Sequence, residues 1–244
     1  MEPWYMPISS PFSFKILVGM CLVGAALAPS AQAQVYYSED FDSVLPAGWT
    51  STNISTTIGT SPNWFQGNPT VFNAQAGATN SYAGANFNAT TGAGTINLWL
   101  ITSSLTVNNG DTVSFFTRTV DTPAFPDRLE LRFNPLNDTN VGATATSVGN
   151  FTTLLTTVNP TLTTSGYPNT WTQFSTTFSG LGGPTTGRLA FRYFVTNGGP
   201  SGANSDFIGV DTLRVSAPVS APEPTTLALL SLSLPIALRL RRRK

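Results

Sequence analysis

Residues 188–195 read Arg188-Leu189-Ala190-Phe191-Arg192-Tyr193-Phe194-Val195, and residues 128–133 read Arg128-Leu129-Glu130-Leu131-Arg132-Phe133. In both stretches large apolar side chains occupy every second position. Because successive side chains of a β-strand point to opposite faces, this pattern predicts two strands with one apolar face each. Leu129, Leu131, Phe133, Leu189, Phe191, Tyr193 and Val195 are predicted to face a core. Glu130, which lies between two arginines, is predicted on a solvated face.

Further stretches rich in β-branched and aromatic residues predict more strands. They are residues 35–41, 81–87, 95–102, 112–120, 151–158, 171–178 and 207–215. Turn-forming sequences separate them, such as Asn108-Asn109-Gly110-Asp111 and Asn197-Gly198-Gly199-Pro200. No segment of this region has a 3.6-residue apolar period. Many short strands joined by such turns predict an all-β fold, either a sandwich or a jelly roll.

The first 33 residues have the features of a secretory signal peptide. Lys15 precedes an apolar run that ends at Ala28, and Ala31-Gln32-Ala33 is an A-x-A cleavage site. Cleavage after Ala33 would remove Cys21, the single cysteine of the chain. We therefore predict a signal peptide over residues 1–33, one domain over residues 34–215 and a short extended linker over residues 216–221.

The C-terminal 23 residues have three parts. Pro222-Glu223-Pro224 precedes an apolar run, Leu227 to Leu238, and the chain then carries Arg239, Arg241, Arg242, Arg243 and Lys244. A short apolar helix followed by clustered cations acts as a stop-transfer signal, because the cations resist crossing the bilayer. An ordinary tail anchor is the alternative. The segment resembles the PEP-CTERM sorting signal of exported bacterial proteins, and the resemblance implies recognition and cleavage by a membrane-embedded exosortase.

The predicted domain also resembles a family. Glu39-Asp40-Phe41-Asp42 and Ile208-Gly209-Val210-Asp211, near its two ends, are similar to motifs of choice-of-anchor J domains, as are Ser81-Tyr82-Ala83-Gly84-Ala85-Asn86-Phe87 and Asn97-Leu98-Trp99-Leu100-Ile101-Thr102 between them. That family is similar to the cleaved-adhesin and MAM-type jelly rolls of cell-surface proteins. The resemblance implies an antiparallel jelly-roll β-sandwich. It implies no reaction and no defined ligand.

The composition excludes several kinds of chemistry. The chain has no histidine, and residues 34–218 contain neither cysteine nor lysine. Histidine-dependent triads, thiol nucleophiles and Schiff-base lysines are therefore excluded from this region. Its six arginines and ten carboxylates sum to 6 − 10 = −4, so nucleic acid is not an expected partner. Hydrolysis of a glycoside by two carboxylates remains open.

Acidic residues near both ends of the domain predict a cation site. Asp40 and Asp42 follow the first predicted strand, and Asp206 and Asp211 lie at and within the last one. Adjacent terminal strands would bring these carboxylates together, and Ca²⁺ binds six to eight oxygen ligands. These four residues are the predicted ligands of a structural Ca²⁺. The alternative is that Asp42 and Asp211 cap turns or pair with Arg214.

Two aromatic residues are candidates for ligand binding. Trp64 and Phe65 lie between Pro62-Asn63 and Gln66-Gly67-Asn68, a loop-like context that predicts exposed rings able to stack on a sugar. Trp99 and Trp171 lie within apolar strands and are predicted to belong to the core.

These observations predict a non-enzymatic exported protein of the cell surface or an exopolysaccharide matrix, with an adhesive or structural role. Its expected partners are the export machinery with an exosortase, the membrane during transit, and a polysaccharide or other surface ligand. A carbohydrate-binding module is the alternative function. A glycoside hydrolase that uses only carboxylates is a third hypothesis, and it requires two acids facing each other across a cleft at roughly 5–10 Å.

Overall fold

The computed structural model describes Met1 and residues 32–219, and residues 32–219 lie within one compact unit. They form an antiparallel β-sandwich of two six-stranded sheets, with one 3₁₀-helix at Phe87–Ala89 and no α-helix in this range. The predicted signal peptide, except Met1 and its last two residues, lies outside the described residues. So do the end of the predicted linker, the Pro222-Glu223-Pro224 motif, the apolar segment and the terminal cations.

The strands of the first sheet, sheet A, are β1 (Val35–Glu39), β3 (Phe65–Gln66), β4 (Ala83–Asn86), β7 (Thr112–Thr119), β10 (Thr172–Thr177) and β12 (Phe207–Ser216). Their order in the sheet is β10-β7-β12-β4-β3, and β1 also pairs with β12. The strands of the second sheet, sheet B, are β2 (Thr50–Asn53), β5 (Gly94–Ile101), β6 (Leu105–Val107), β8 (Leu129–Asn134), β9 (Thr153–Val158) and β11 (Thr185–Gly198). Their order is β2-β5-β11-β8-β9, and β6 also pairs with β11.

The two alternating stretches form the centre of sheet B, as the sequence predicts. They pair with each other as β8 and β11, with Leu131 opposite Phe191. Their apolar faces belong to the main core between the sheets, where the Phe191 ring meets Phe115 of β7 edge-on at 5.0 Å. Alternation therefore identified both the strands and the side chains that face the core.

All nine predicted strands are present, with ends shifted by a few residues. Three short strands, β2, β3 and β6, were not predicted, because two to four residues are too few to show a period of two. β11 runs to Gly198 and so extends into the predicted turn at Asn197. β12 runs to Ser216, and the next amide, that of Ala217, donates to the Gln34 carbonyl oxygen at 2.9 Å. The start of the predicted linker is therefore attached to the domain.

The outer face of sheet B is covered, which corrects the prediction for Glu130. The segment between β8 and β9 folds over this face, and its Phe151 ring lies 5.4 Å from the Trp99 ring. Trp99 is fully buried there, on the outer side of the sheet rather than between the sheets. Because of this cover Glu130 is only 7% exposed.

Glu130 belongs to a buried ionic network under this cover. Its Oε2 accepts hydrogen bonds from Arg132 Nε at 2.6 Å and from Arg192 Nη1 at 3.0 Å. Burial alone would raise the pKa of Glu130, but the hydrogen bonds and charges of the two arginines outweigh it and lower that pKa. The Arg192 guanidinium also lies 3.7 Å from the centre of the Phe194 ring. The charged face of β8 and β11 is thus an internal polar layer.

Among the described residues, no helix has the length and apolar character that a membrane span requires.

Candidate functional site

The outer face of sheet A carries a cluster of aromatic rings, which we call the aromatic shelf. Its members are Phe65, Phe72, Tyr82, Trp171 and Phe207. The shelf lies over two glycines that are paired with each other, Gly84 of β4 and Gly209 of β12. A Cβ atom at Gly209 would lie 2.9 Å from ring atoms of both Phe72 and Trp171. The bare backbone at these glycines therefore allows the rings to pack directly on the sheet.

Hydrogen bonds and ring contacts hold the shelf in place. Phe72 stacks on Tyr82 at 5.0 Å, and the Arg118 guanidinium lies 4.4 Å from the centre of the Phe72 ring. The Tyr82 hydroxyl donates to the Asn68 carbonyl oxygen and accepts from the Asn68 amide, both at 2.8 Å. Burial raises the pKa of Tyr82 to about 12, so this hydroxyl stays neutral. Trp171 is half-buried here rather than between the sheets, and its Nε1 donates to the Asn73 carbonyl oxygen.

An open groove of about 530 Å³ lies along one side of the shelf. It is lined by Ser61, Phe65, Gln66, Gly67, Asn68, Pro69, Val71, Asn86 and Phe207. The rings of Phe65 and Phe207, 5.6 Å apart, provide an apolar surface in it. Every other lining residue is neutral, so the groove presents apolar rings and amides without a formal charge.

The amides of the groove differ in what they can offer a ligand. Gln66 is fully used: its Nε2 donates to the carbonyl oxygens of Phe41 and Asn80, and its Oε1 accepts from the Val44 amide. Asn68 and Asn86 use only their oxygens, which accept from the amides of Thr70 and Asn88. Within residues 32–219 neither Nδ2 group has a hydrogen-bond partner. Two amide donors are thus left for a ligand.

The structure separates the two aromatic residues that the sequence grouped together. Trp64 is 2% exposed and belongs to the core between the sheets, so its prediction as an exposed ring is wrong. Phe65 is half-buried and lines the groove on the outer face. Neighbouring residues of an extended chain point in opposite directions, and this rule predicts that only one of the two can be outside. The sequence does not indicate which one.

The four predicted Ca²⁺ ligands do not form one cluster. Asp40 makes an ion pair with Arg214, and Asp206 precedes β12 whereas Asp211 lies within it, opposite Phe116 of β7. Residues 32–219 contain no group of three or more His, Cys, Asp or Glu side chains that could hold a metal ion. The prediction that these four carboxylates converge on one site is therefore wrong: the Asp40 carboxylate is paired with Arg214, and Asp206 lies five residues before Asp211 in the chain.

Asp211 has a role within the fold. Its Oδ2 accepts from the amides of Gln75 and Ala76, at 2.8 and 3.3 Å, and its Oδ1 accepts from the Thr212 amide at 2.6 Å. Asp42 binds the other end of the same loop, where its Oδ1 accepts from the Ser81 hydroxyl at 2.7 Å. These bonds match the alternative in which the carboxylates cap turns.

Calcium binding itself stays a prediction, and a melting temperature that EDTA lowers and Ca²⁺ restores would support it.

No protein-family model and no curated protein sequence matches the chain. Solved structures do match. The K1 cleaved adhesin domain of Lys-gingipain from Porphyromonas gingivalis is 21% identical over 74% of this chain and 97% of that one, with a TM-score of 0.47. The K3 domain of the same protein is 16% identical over 75% and 100%, with a TM-score of 0.48. The CBM22-1 xylan-binding domain of Paenibacillus barcinonensis Xyn10C is 14% identical over 79% and 99%, with a TM-score of 0.40.

Proposed function

We propose that the chain is a non-enzymatic, exported adhesive protein whose β-sandwich binds a neutral saccharide in the groove beside Phe65 and Phe207. The single observation that carries this proposal is the combination of apolar rings and unpaired amide donors in an uncharged open groove. The C–H face of a sugar packs against aromatic rings, and its hydroxyl groups accept hydrogen bonds from amides. An open groove suits the interior of a polysaccharide chain as well as its end.

Binding, rather than hydrolysis, is the activity that this groove supports. Hydrolysis by carboxylates requires two acids on opposite sides of the scissile bond. The lining residues of the groove include none. We therefore keep the carbohydrate-binding and adhesive hypotheses together and do not assign the hydrolase hypothesis to this site.

A glycan array followed by calorimetry of the purified protein tests the proposal. We expect binding to one or more neutral glycans, and Phe65→Ala should weaken it about fivefold, since an aromatic contact contributes roughly 1 kcal/mol. Leu154→Ala is the matched control, because Leu154 is 48% exposed on β9 of the opposite sheet and should not affect binding. Equal affinity of the Phe65 variant, or an array without neutral ligands, would reject the groove as a saccharide site.

We also propose that the C-terminal tail directs the protein through an exosortase-type pathway to the cell surface or matrix. This proposal is supported by the order of Pro222-Glu223-Pro224, the apolar run and the terminal cations. Replacing Arg239, Arg241, Arg242, Arg243 and Lys244 by neutral residues should leave the protein uncleaved or misplaced, because the stop-transfer charges are lost. Western blots of fractionated cells measure this. An unchanged size and location of the variant would argue against the sorting signal.

A further inference from the structure

A second, smaller pocket lies next to the groove. Asn86 of β4 pairs with Phe207 of β12, and both residues line the groove. Phe87, the residue after the end of β4, and Asp206, the residue before the start of β12, line a pocket of about 150 Å³. The Phe87 amide donates to the Asp206 carbonyl oxygen at 2.8 Å, which fixes the two residues relative to each other. The pocket is therefore built on the same strand pair as the groove.

The walls of this small pocket are mostly apolar. The rings of Phe87 and Phe125 and the ring of Pro200 line it, and Phe125 is 44% exposed although it is a large hydrophobic residue. Ser205 closes the pocket from the side of the loop before β12, and its hydroxyl accepts a hydrogen bond from the Gly199 amide at 2.8 Å. The turn at Gly199 is thereby held against the pocket.

The charge of the pocket is negative and unbalanced. Asp206 is half-buried, and none of the ion pairs among residues 32–219 includes it. A second carboxylate, the fully buried Asp127, lies directly behind it and accepts a hydrogen bond from the Asp206 amide at 2.8 Å. Asp127 also accepts from the hydroxyls of Tyr193 and Thr119, so its partners are neutral donors. The pocket thus carries the Asp206 carboxylate, with the buried Asp127 carboxylate behind it, and no ion pair among residues 32–219 neutralises either one.

We propose that this pocket binds the ammonium group of a small organic cation, with the Asp206 carboxylate as counter-ion and the Phe87 and Phe125 rings around the alkyl stem. Aromatic faces attract cations, and a partly desolvated carboxylate strengthens the attraction. A metal ion fits less well, because Ca²⁺ requires six to eight oxygen ligands. Three of the residues that line this pocket instead present apolar rings. The pocket is smaller than the roughly 300–1,000 Å³ of pockets for drug-sized ligands, so it admits a correspondingly small molecule.

Nuclear magnetic resonance titration of the purified protein with n-pentylammonium chloride at pH 7.5 tests the proposal. We expect shifts of the amide signals of Phe87, Ser205 and Asp206, with a dissociation constant on the order of millimolar. n-Pentanol is the matched neutral probe and should not produce these shifts. Equal shifts with pentanol would overturn the proposal.

Two variants identify the binding groups. Asp206→Asn keeps the shape and removes the charge, and Phe125→Ala removes an exposed ring; each should weaken binding at least tenfold. Asp121→Asn is the control, because Asp121 is an exposed carboxylate paired with Arg118. Unchanged affinity of the Asp206 variant, in a protein whose remaining spectrum is native, would reject the site. The result does not depend on the glycan assay, because the two experiments use different residues and different probes.

Discussion

Glu130 shows, at the scale of a single residue, how position in the fold changes the role of a side chain. In the sequence it has an arginine two residues away on each side, a pattern typical of a solvated strand face. In the structure it binds Arg132 along the strand and Arg192 on the neighbouring strand, under a covering loop. The carboxylate therefore neutralises a buried arginine.

We predict that Glu130→Gln destabilises the domain by about 2–4 kcal/mol, because the buried Arg192 would lose its counter-ion. Urea denaturation followed by fluorescence measures the change. Asp121→Asn is the control, since the Asp121 side chain is 80% exposed and a surface ion pair contributes less than about 1 kcal/mol. A similar loss of stability in both variants would show that burial does not distinguish the two carboxylates.

At the scale of a single element, β3 shows how one short strand can serve both the core and a binding surface. It is the two-residue edge strand of sheet A, and it pairs with β4 through Phe65 and Gln66. The residue before it, Trp64, turns into the core, whereas Phe65 turns out to the groove. A short edge strand thus separates one residue that stabilises the fold from one that is exposed to a ligand.

Trp64→Ala should destabilise the domain by roughly 3–5 kcal/mol, because it leaves a cavity in the core. Phe65→Ala should cost clearly less, about 1–2 kcal/mol, because this ring is half-buried at the surface. Equilibrium unfolding of the two variants gives both values. If the Phe65 variant were the less stable one, the assignment of inside and outside along this strand would be reversed.

At the scale of the whole molecule, both sheets depend on strands from distant parts of the chain. β12, near the end of the described residues, pairs with β1, β4 and β7. Asp127 joins three of these distant parts, since it accepts hydrogen bonds from Thr119 of β7, Tyr193 of β11 and the backbone just before β12. This carboxylate is buried without a cation, and its titration should affect the stability of the entire domain.

Burial raises the pKa of Asp127 from 3.8 to about 6, although the three hydrogen bonds oppose this change. The native state then binds more protons than the unfolded state between about pH 4 and pH 6, so stability falls as the pH rises through this window. A pKa difference of about two between the folded and unfolded states corresponds to a change of roughly 3 kcal/mol in the free energy of unfolding. Burial also raises the pKa of Asp211 to about 6, so its titration lowers the stability over the same pH range.

We therefore predict a free energy of unfolding that decreases from pH 4.5 to pH 7 and is level above pH 7. Urea denaturation at four pH values measures the slope, and Asp127→Asn should make it shallower. Below about pH 4 the free energy of unfolding should instead decrease as the pH falls. The pKa of Glu130 is lowered in the folded state, and protonation of this carboxylate breaks its ion pairs. A stability that rises between pH 4.5 and pH 7 would contradict the assignment.

The sequence by itself determined the class of the fold and the inward faces of its strands. Alternation is a local property, and the burial of Leu129, Leu131, Phe191 and Tyr193 follows from a period of two within a single strand. Composition also determined which side-chain chemistries are absent from residues 34–218, since histidine, cysteine and lysine are missing there.

Only the tertiary structure decided which faces are covered and which residues meet. Phe65 and Phe207 share the groove although 142 positions separate them, and the loop over sheet B encloses Glu130. The pairing of β1 with β12 also placed the Asp40 carboxylate against Arg214. Such contacts depend on strand order and register, which arise from the packing of the complete chain. A local pattern identifies a strand and its two faces, but the neighbours that cover each face come from elsewhere in the sequence.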